Sequence, residues 1–384
     1  MDFTTNKDEL LAKNNRNKIK LSPKNGLKMK TKQNKIAISL ILIAMVLITI
    51  KCKDNPVTPK PPAQPNSTSH EIVWEIDTLG AFNSHADAVW GSSPTNIWVT
   101  GWFTDGKGWG SNIYHYNGIN WTAIDYFEAE LNGVFGISEN DIWAVGNNLT
   151  ATQWYALVAH YDGIEWKTEN VFTSVPKLIS VWASGPNDVF AVGFEGTILH
   201  YDGNSWSQME SGTKYHLRDV WGFSPNDVYA CGGDIDNAVY NDKPILLHYD
   251  GTSWESILDT TKEEHDYVIS NWGTSSENLY FSSVTGFYQG SANYGWTSSV
   301  IPDEHTAKKK LRGSSEYNIF LTGSFGLILH YNGKTWHRYD EILSKSYPYG
   351  PYLVDIATFE NFVFVVGDDH NINRAVAYKG TIKN

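Results

Sequence analysis

A nine-residue pattern, ILHYDGNSW at 198–206, recurs as IYHYNGINW (113–121), VAHYDGIEW (158–166), LLHYDGTSW (246–254) and ILHYNGKTW (328–336), with a worn copy in GFYQGSANYGW (286–296). The closing tryptophans stand at 121, 166, 206, 254, 296 and 336, a period of 40–48 residues. A second element precedes each copy: NIWVTG (96–101), DIWAVG (141–146), DVFAVG (188–193), DVYACG (227–232), NLYFSS (278–283), NIFLTG (318–323) and FVFVVG (362–367). A third precedes that, as in AVWGSSP (88–94), SVWASGP (180–186) and DVWGFSP (219–225). These elements define seven units. A repeat of this length constrains the fold more than composition does, because one copy buries its apolar face only against the next.

Each unit reads as four short strands, apolar and aromatic residues alternating or running between turn signals. Nothing from residue 71 onward carries a 3.6-residue period. Asp-Gly and Asn-Gly between the third and fourth strands predict type I′ hairpins. Four strands in about 40–45 residues make a propeller blade. The expected fold class is therefore all-β, a seven-bladed β-propeller spanning 70–384. The last unit ends RAVAYKGTIKN without its tryptophan, and a spare strand, HEIVWEIDTL with Trp74, lies at 70–79. That strand is expected to close the ring on the last blade and remove its open edge.

The five repeated histidines, His115, His160, His200, His248 and His330, fall once per unit. A ring spreads them apart, so they cannot converge on one ion. The expected role is structural, each imidazole bonding a neighbouring backbone group. The tryptophans are expected to pack blade on blade, and the repeated Asp to shape the turn.

The pattern D-V-[WFY]-A-V-G…I-L-H-Y-D-G-x-S-W resembles a recurrent repeat of bacterial secreted propeller lipoproteins. It is also similar to tectonin repeats, which pair a V-W-x-V strand with an I-Y-R-x-D-G-x-x-W hairpin. More distantly it is similar to the Asp-box hairpin, S-x-D-x-G-x-T-W, of sialidase-like propellers, although the turn here is one residue shorter. The resemblance covers 70–384 and speaks for fold; propellers host many activities.

The first seventy residues carry 13 Lys or Arg against 4 acids and contain the apolar run IAISLILIAMVLITI at 36–50. Fifteen residues fall short of the roughly 20 that a spanning helix needs. A basic segment before a short apolar one reads as an export signal over 1–51, with Met29 a plausible start. Cys52 resembles the lipidated cysteine of a bacterial lipoprotein, although Lys51 departs from the small residue that family places there. Residues 52–69 then form a lipid-anchored, Pro-rich linker. An uncleaved N-terminal anchor is the alternative. Lys53 and Asp54 resemble the surface-export signal of some lipoproteins. The expected location is the cell envelope, at the outer membrane or the cell surface. With Cys52 lipidated, Cys231 has no disulfide partner, so stability must come from the core.

Loop variation points to one face. Strands one and two, and three and four, are joined by near-constant turns. The other connections vary, as functional loops on a rigid scaffold do. Aromatics recur there, and Trp102, Trp109, Trp154, Tyr155, Tyr240, Tyr347 and Tyr349 are the candidate contacts for a glycan or an envelope protein. Asp234, Asp236 and Asp242 supply hard oxygens for calcium but lack the D-x-[DN]-x-[DN]-G spacing, so they read as a solvated acidic loop. No cofactor or metal is called for. His265, His305 and His370 lie beside acids without metal-ligand spacing.

An enzyme remains the alternative. A polysaccharide hydrolase or lyase at the channel mouth would draw on arginines, and beyond residue 70 these are Arg218, Arg312, Arg338 and Arg374. No nucleophile elbow or phosphate loop accompanies them. The propeller region holds 17 basic and 38 acidic residues, a balance that repels nucleic acid and anionic membrane. Membrane contact is expected through the anchor alone. Lys308, Lys309 and Lys310 read as a solvated link between blades. Three functions stay open: a binding module for glycan or protein, the hydrolase or lyase, and an architectural envelope scaffold.

Overall fold

The structure, a computed structural model, describes residues 67–383 apart from 108–109, 125–128, 150–153, 173–174, 176, 235–242, 259–266, 284–285, 303–306 and 343–349. The leader, Cys52 and most of the Pro-rich linker lie outside the described residues, as do Trp109, Asp236, Tyr240, Asp242, Tyr347 and Tyr349. Trp154 and Asp234 are described only as strand residues.

The described strands assemble into seven four-stranded antiparallel sheets. The fold is a seven-bladed β-propeller. Blades 1–6 span 85–123, 129–172, 178–209, 216–256, 268–299 and 308–338, each with its strands in chain order. Blade 7 takes Pro351–Thr358, Phe362–Asp369 and Arg374–Ile382, and its outermost strand is Ile72–Leu79. Pairing there runs from Ile72 opposite Ile382 to Leu79 opposite Ala375. The spare N-terminal strand thus closes the ring as its sequence predicts, and the last sheet gains the partner its own unit lacks.

The core lies between blades rather than at the centre. Each apolar cluster straddles two neighbours. One joins Trp143, Val145 and Val158 of blade 2 to Val181, Val189 and Leu199 of blade 3. Another joins Val99 and Ile97 of blade 1 to Phe364 and Val366 of blade 7. A sheet buried on both faces suits the near-continuous apolar run of each second strand. Burying one such side chain stabilises by about 1.5–3 kcal/mol, so the seam between blades carries the fold and the axis stays open.

The repeated residues act at these seams. Each third-strand histidine donates from Nε2 to the Asx residue that opens the second strand: His115 to Asn96, His160 to Asp141, His200 to Asp188, His248 to Asp227 and His330 to Asn318, at 2.6–3.0 Å. The imidazole also lies against the aromatic ring two residues further along that strand, with centroids 3.9–4.5 Å apart. The expected backbone partner is corrected to a side-chain carboxylate or amide. The D-x-[WFY] half of the repeat exists to receive the imidazole. In blade 5 Gln289 replaces the histidine and bonds Asn278 at 2.8 Å. In blade 7 Lys379 stands opposite Phe364 and pairs with Glu75 and Asp77 of the closing strand.

The tryptophans pack blade on blade, as expected, each reaching back to the preceding blade. Trp166, Trp206 and Trp254 stand edge-on to Trp98, Trp143 and Phe190 of the preceding blade at 5.7–6.1 Å. The hairpin expectation needs correction. A type I′ turn needs positive φ at both central residues. Among Asp202 and its equivalents in the other blades, only the following glycine has it, as at Gly203 (90°). The loop spans four residues between Tyr201 and Trp206, and Asp202 Oδ1 accepts the amides of Asn204 and Ser205 at 2.9 Å. It is an Asx turn, not a two-residue type I′ turn.

Candidate functional site

The seven first strands line the axis, and each carries a one-residue bulge near its start. The register breaks between Ala86 and Ala88, Leu131 and Gly133, Leu178 and Ser180, Leu217 and Asp219, Val268 and Ser270, Lys308 and Leu311, and Leu353 and Asp355. A bulge re-aims the extra residue. Here it turns Asp87, Asn132, Ile179, Arg218, Ile269, Lys309 and Val354 towards a cavity of about 600 Å³ on the axis. The glycine closing the W-A-V-G motif belongs to the same device. A Cβ at Gly146 would stand 1.8 Å from the Glu130 carbonyl of the bulged strand.

First strands run from the variable blade-to-blade links towards the tight first-to-second turns. The bulge residues, near the strand starts, therefore face the loop-rich side. Three residues on, towards the tight-turn side, aromatic rings narrow the axis. Trp221 lies 6.3 Å from both Phe135 and Trp272, centroid to centroid. In blade 6 the corresponding residue is Arg312, which sits over the Trp221 ring at 5.4 Å.

Beneath the bulge layer lies a buried ion cluster. Asp219 is fully enclosed, and its carboxylate receives Arg312 through two bonds of 2.8 Å and Lys310 through one of 2.7 Å. The Ser180 and Ser270 hydroxyls donate to it from blades 3 and 5, and the amides of Val220 and Asn271 complete its shell. Burial opposes ionisation, but Arg312 and then Lys310 outweigh it and hold the carboxyl well below the usual range. Asp355 of blade 7 is also enclosed. Burial raises its affinity for a proton against the pull of Lys310, Arg312 and the Val89 and Ile356 amides. The expectation that Lys308–Lys310 form a solvated link is corrected: they open the innermost strand of blade 6, and Lys309 and Lys310 face the axis.

The mouth of the cavity is electrically divided. Asp87 lines it from blade 1; Glu130 of blade 2, bound by Lys177 at 3.2 Å, and Asp368 of blade 7 lie outside its lining. Burial pushes Asp87 up to about 7, opposed by Lys177 and assisted by Glu130, although 31% of its side chain still meets the channel. Burial likewise raises Asp368 to about 6, against the Ala86 amide that it accepts at 2.9 Å. On blades 4 and 6 stand Arg218, laid on the Tyr267 ring at 4.9 Å, and Lys309, over the Tyr352 ring at 4.6 Å. Of the four arginines, Arg218 and Arg312 reach the cavity; Arg338 bonds Asp340 on the outer strand of blade 6, and Arg374 opens the last strand of blade 7.

Trp102 lies two residues before the end of the second strand of blade 1, opposite His85, and Tyr155 is the second residue of the third strand of blade 2, opposite Asn148. Both are half-buried, on the loop-rich side, outside the cavity lining. Trp154 pairs with Leu149 at the same hairpin end. Asp87, Lys309 and Asp219 carry no motif and escape a search for one. Their signal is the column before the apolar pair of each third element, D-A-V, N-G-V, I-S-V, R-D-V, I-S-N, K-K-L and V-D-I, where no residue type prevails.

Solved structures share this fold. The chain is similar to YCF48 bound to D1 peptide, with a TM-score of 0.59 and 16% identity over 81% of this chain and 97% of that one. It is similar to virginiamycin B lyase from Staphylococcus aureus, with a TM-score of 0.63 and 10% identity over 82% and 100% of the two chains. The WD40 β-propeller domain of Doa1 gives 0.58 and 11% over 81% and 98%. No protein-family profile and no curated protein matches the sequence. At these identities the likeness is one of fold, and the site must be argued on its own residues.

Proposed function

We propose that this propeller is a non-catalytic binding module that receives an extended polypeptide segment at the channel mouth. The observation that carries this is the first-strand bulge column. Seven copies of one scaffold point side chains of six kinds into a single cavity of ligand size. Trp102 and Tyr155 extend the contact surface over blades 1 and 2, and Trp109, Trp154, Tyr240, Tyr347 and Tyr349 remain the further candidate contacts from the sequence. Lipid on Cys52 and the Pro-rich linker hold the module at the cell envelope. The peptide named with the YCF48 structure supports a polypeptide over a glycan ligand.

The test is crosslinking of the full chain on intact cells, beside a glycan array. A captured protein that is lost with Trp102→Ala and Trp154→Ala supports the reading. Glycan retention without protein capture overturns it. A hydrolase or lyase at the same mouth is the second reading. Asp87 favours it, because a carboxyl pushed up to about 7, with His85 Nε2 3.6 Å away, has the poise of a general acid or base. Turnover of a polysaccharide panel that Asp87→Asn abolishes would establish it.

A further inference from the structure

The bulge residues do not scatter their charges around the mouth. The one bulge acid, Asp87, falls on blade 1, whereas the bulge cations Arg218 and Lys309 fall on blades 4 and 6. The two cations are held in similar ways. Arg218 rests on Tyr267 and Lys309 on Tyr352, so aromatic faces position the heads at the cavity wall. Among the described residues, Lys309 has no carboxylate partner. Lys310 and Arg312, deeper in the channel, are engaged by Asp219. The wall thus offers the ammonium of Lys309 at one place and the partly accessible carboxylate of Asp87 at another.

Resting on the polypeptide reading above, we infer that the mouth is a dipolar cradle for a peptide of mixed charge, with a ligand carboxylate placed at Lys309 and a ligand ammonium or guanidinium at Asp87. Polyanions fit it poorly. An acidic glycan that reached Lys309 would lay further carboxylates against Asp87, and the chain's formal charge of −12 opposes its approach. A polycation meets the reverse conflict at Lys309. A segment bearing one charge of each sign satisfies both groups, and like-charge exclusion then supplies selectivity. The carboxylate can come from an Asp or Glu side chain or from a chain terminus; the chemistry at Lys309 is the same.

The test uses the full chain on an array of synthetic Gly-Ser peptides. One set carries one Asp and one Lys at varied separations, one carries only Asp and one only Lys, each with free and amidated C-termini. Oligogalacturonate is spotted alongside. Mixed-charge peptides are expected to bind about tenfold more tightly than either single-charge set, the scale of one charge-assisted contact. Amidation that removes binding assigns the carboxylate to the terminus; indifference to amidation assigns it to the side chain. Lys309→Met is expected to erase the advantage of Asp, Asp87→Asn that of Lys, and Lys309→Arg to restore the first. Lys309→Glu should move the preference to the Lys-only set, and an unchanged melting temperature shows that the variants fold. Peptide binding that ignores charge, or that Lys309→Met leaves untouched, overturns the cradle but not the polypeptide reading. Oligogalacturonate bound with every peptide refused overturns both.

Discussion

The outer three strands of each blade and its innermost strand have followed opposite courses. Outside, the same contacts recur: an imidazole donating to an Asx side chain, an aromatic ring under it, an indole reaching the preceding blade. Inside, the bulge position holds an acid, an amide, two cations and three aliphatic residues. The difference follows from what each side chain touches. An outer residue must fit two blades at once, whereas a bulge residue faces the cavity and is free to differ. Duplication kept what joins the copies, and specialisation went where joining is not at stake.

The contrast can be broken hardest at its one exception, the ion cluster that ties inner strands together. Asp219→Ala leaves Lys310 and Arg312 enclosed without their counter-ion and should cost about 3–5 kcal/mol in chemical denaturation. Replacing Lys310 and Arg312 by methionine in the same chain should recover much of that loss. A single outer change comes next. His200→Ala removes one of two side-chain donors to Asp188, leaving Ser184, and uncovers Phe190, with an expected cost of about 1–3 kcal/mol, and His160→Ala and His248→Ala should match it. Bulge changes come lower: Ile179→Asn and Lys309→Met should stay within about 0.5 kcal/mol of the parent. A bulge variant as costly as His200→Ala would erase the contrast.

Titration sharpens the comparison, because the two regions respond to pH with opposite signs. His330 is buried, and burial first, then His70 and His337, pushes it down to about 3. Its Nε2 donates to Asn318, so Nδ1 accepts from His70 Nδ1, 3.1 Å away, and both rings are neutral. The unfolded chain takes up protons below about 6.5 that the folded one refuses. Stability is therefore lost as pH falls from about 6.5 towards 3, and His330→Gln should reduce that slope. Asp87, facing His85, Glu130, Lys177 and Asp368, is raised instead, so the folded chain holds a proton that the unfolded one releases above about 4. Its contribution is full below about 4 and fades as pH rises through about 7; Asp87→Asn should flatten that part of a melting-temperature profile. The smallest effect concerns stability at the loop-rich surface, where Trp102→Ala is expected to lower ligand capture with little change in melting temperature.

Blade number, blade order and ring closure were legible because each rests on a local pattern repeated in register: His-Tyr-Asx-Gly, the indole after it, and a surplus strand at 70–79. The histidine's partner was harder to see. Asp188 and His200 lie 12 residues apart, and only pairing of Phe190 with His200 across the hairpin brings them together. The cavity was least legible. Asp219 meets Arg312 across blade 5 through curvature that no local pattern encodes, and Lys309 sits at the end of a polar run that resembles any exposed link. The bulge decides which of two adjacent residues faces the axis, and alternation counted along the strand misses it by one.

Ring closure sets an order of events in synthesis. The residues of Ile72–Leu79 emerge among the first of the propeller, yet their partners, Ala375–Ile382, emerge among the last. Until then six sheets can form while the seventh waits, with an unpaired strand at each end of a growing arc. Completion is thus a late, long-range event, and a nascent chain stalled before residue 374 would present two adhesive ends to its neighbours instead of one finished disc.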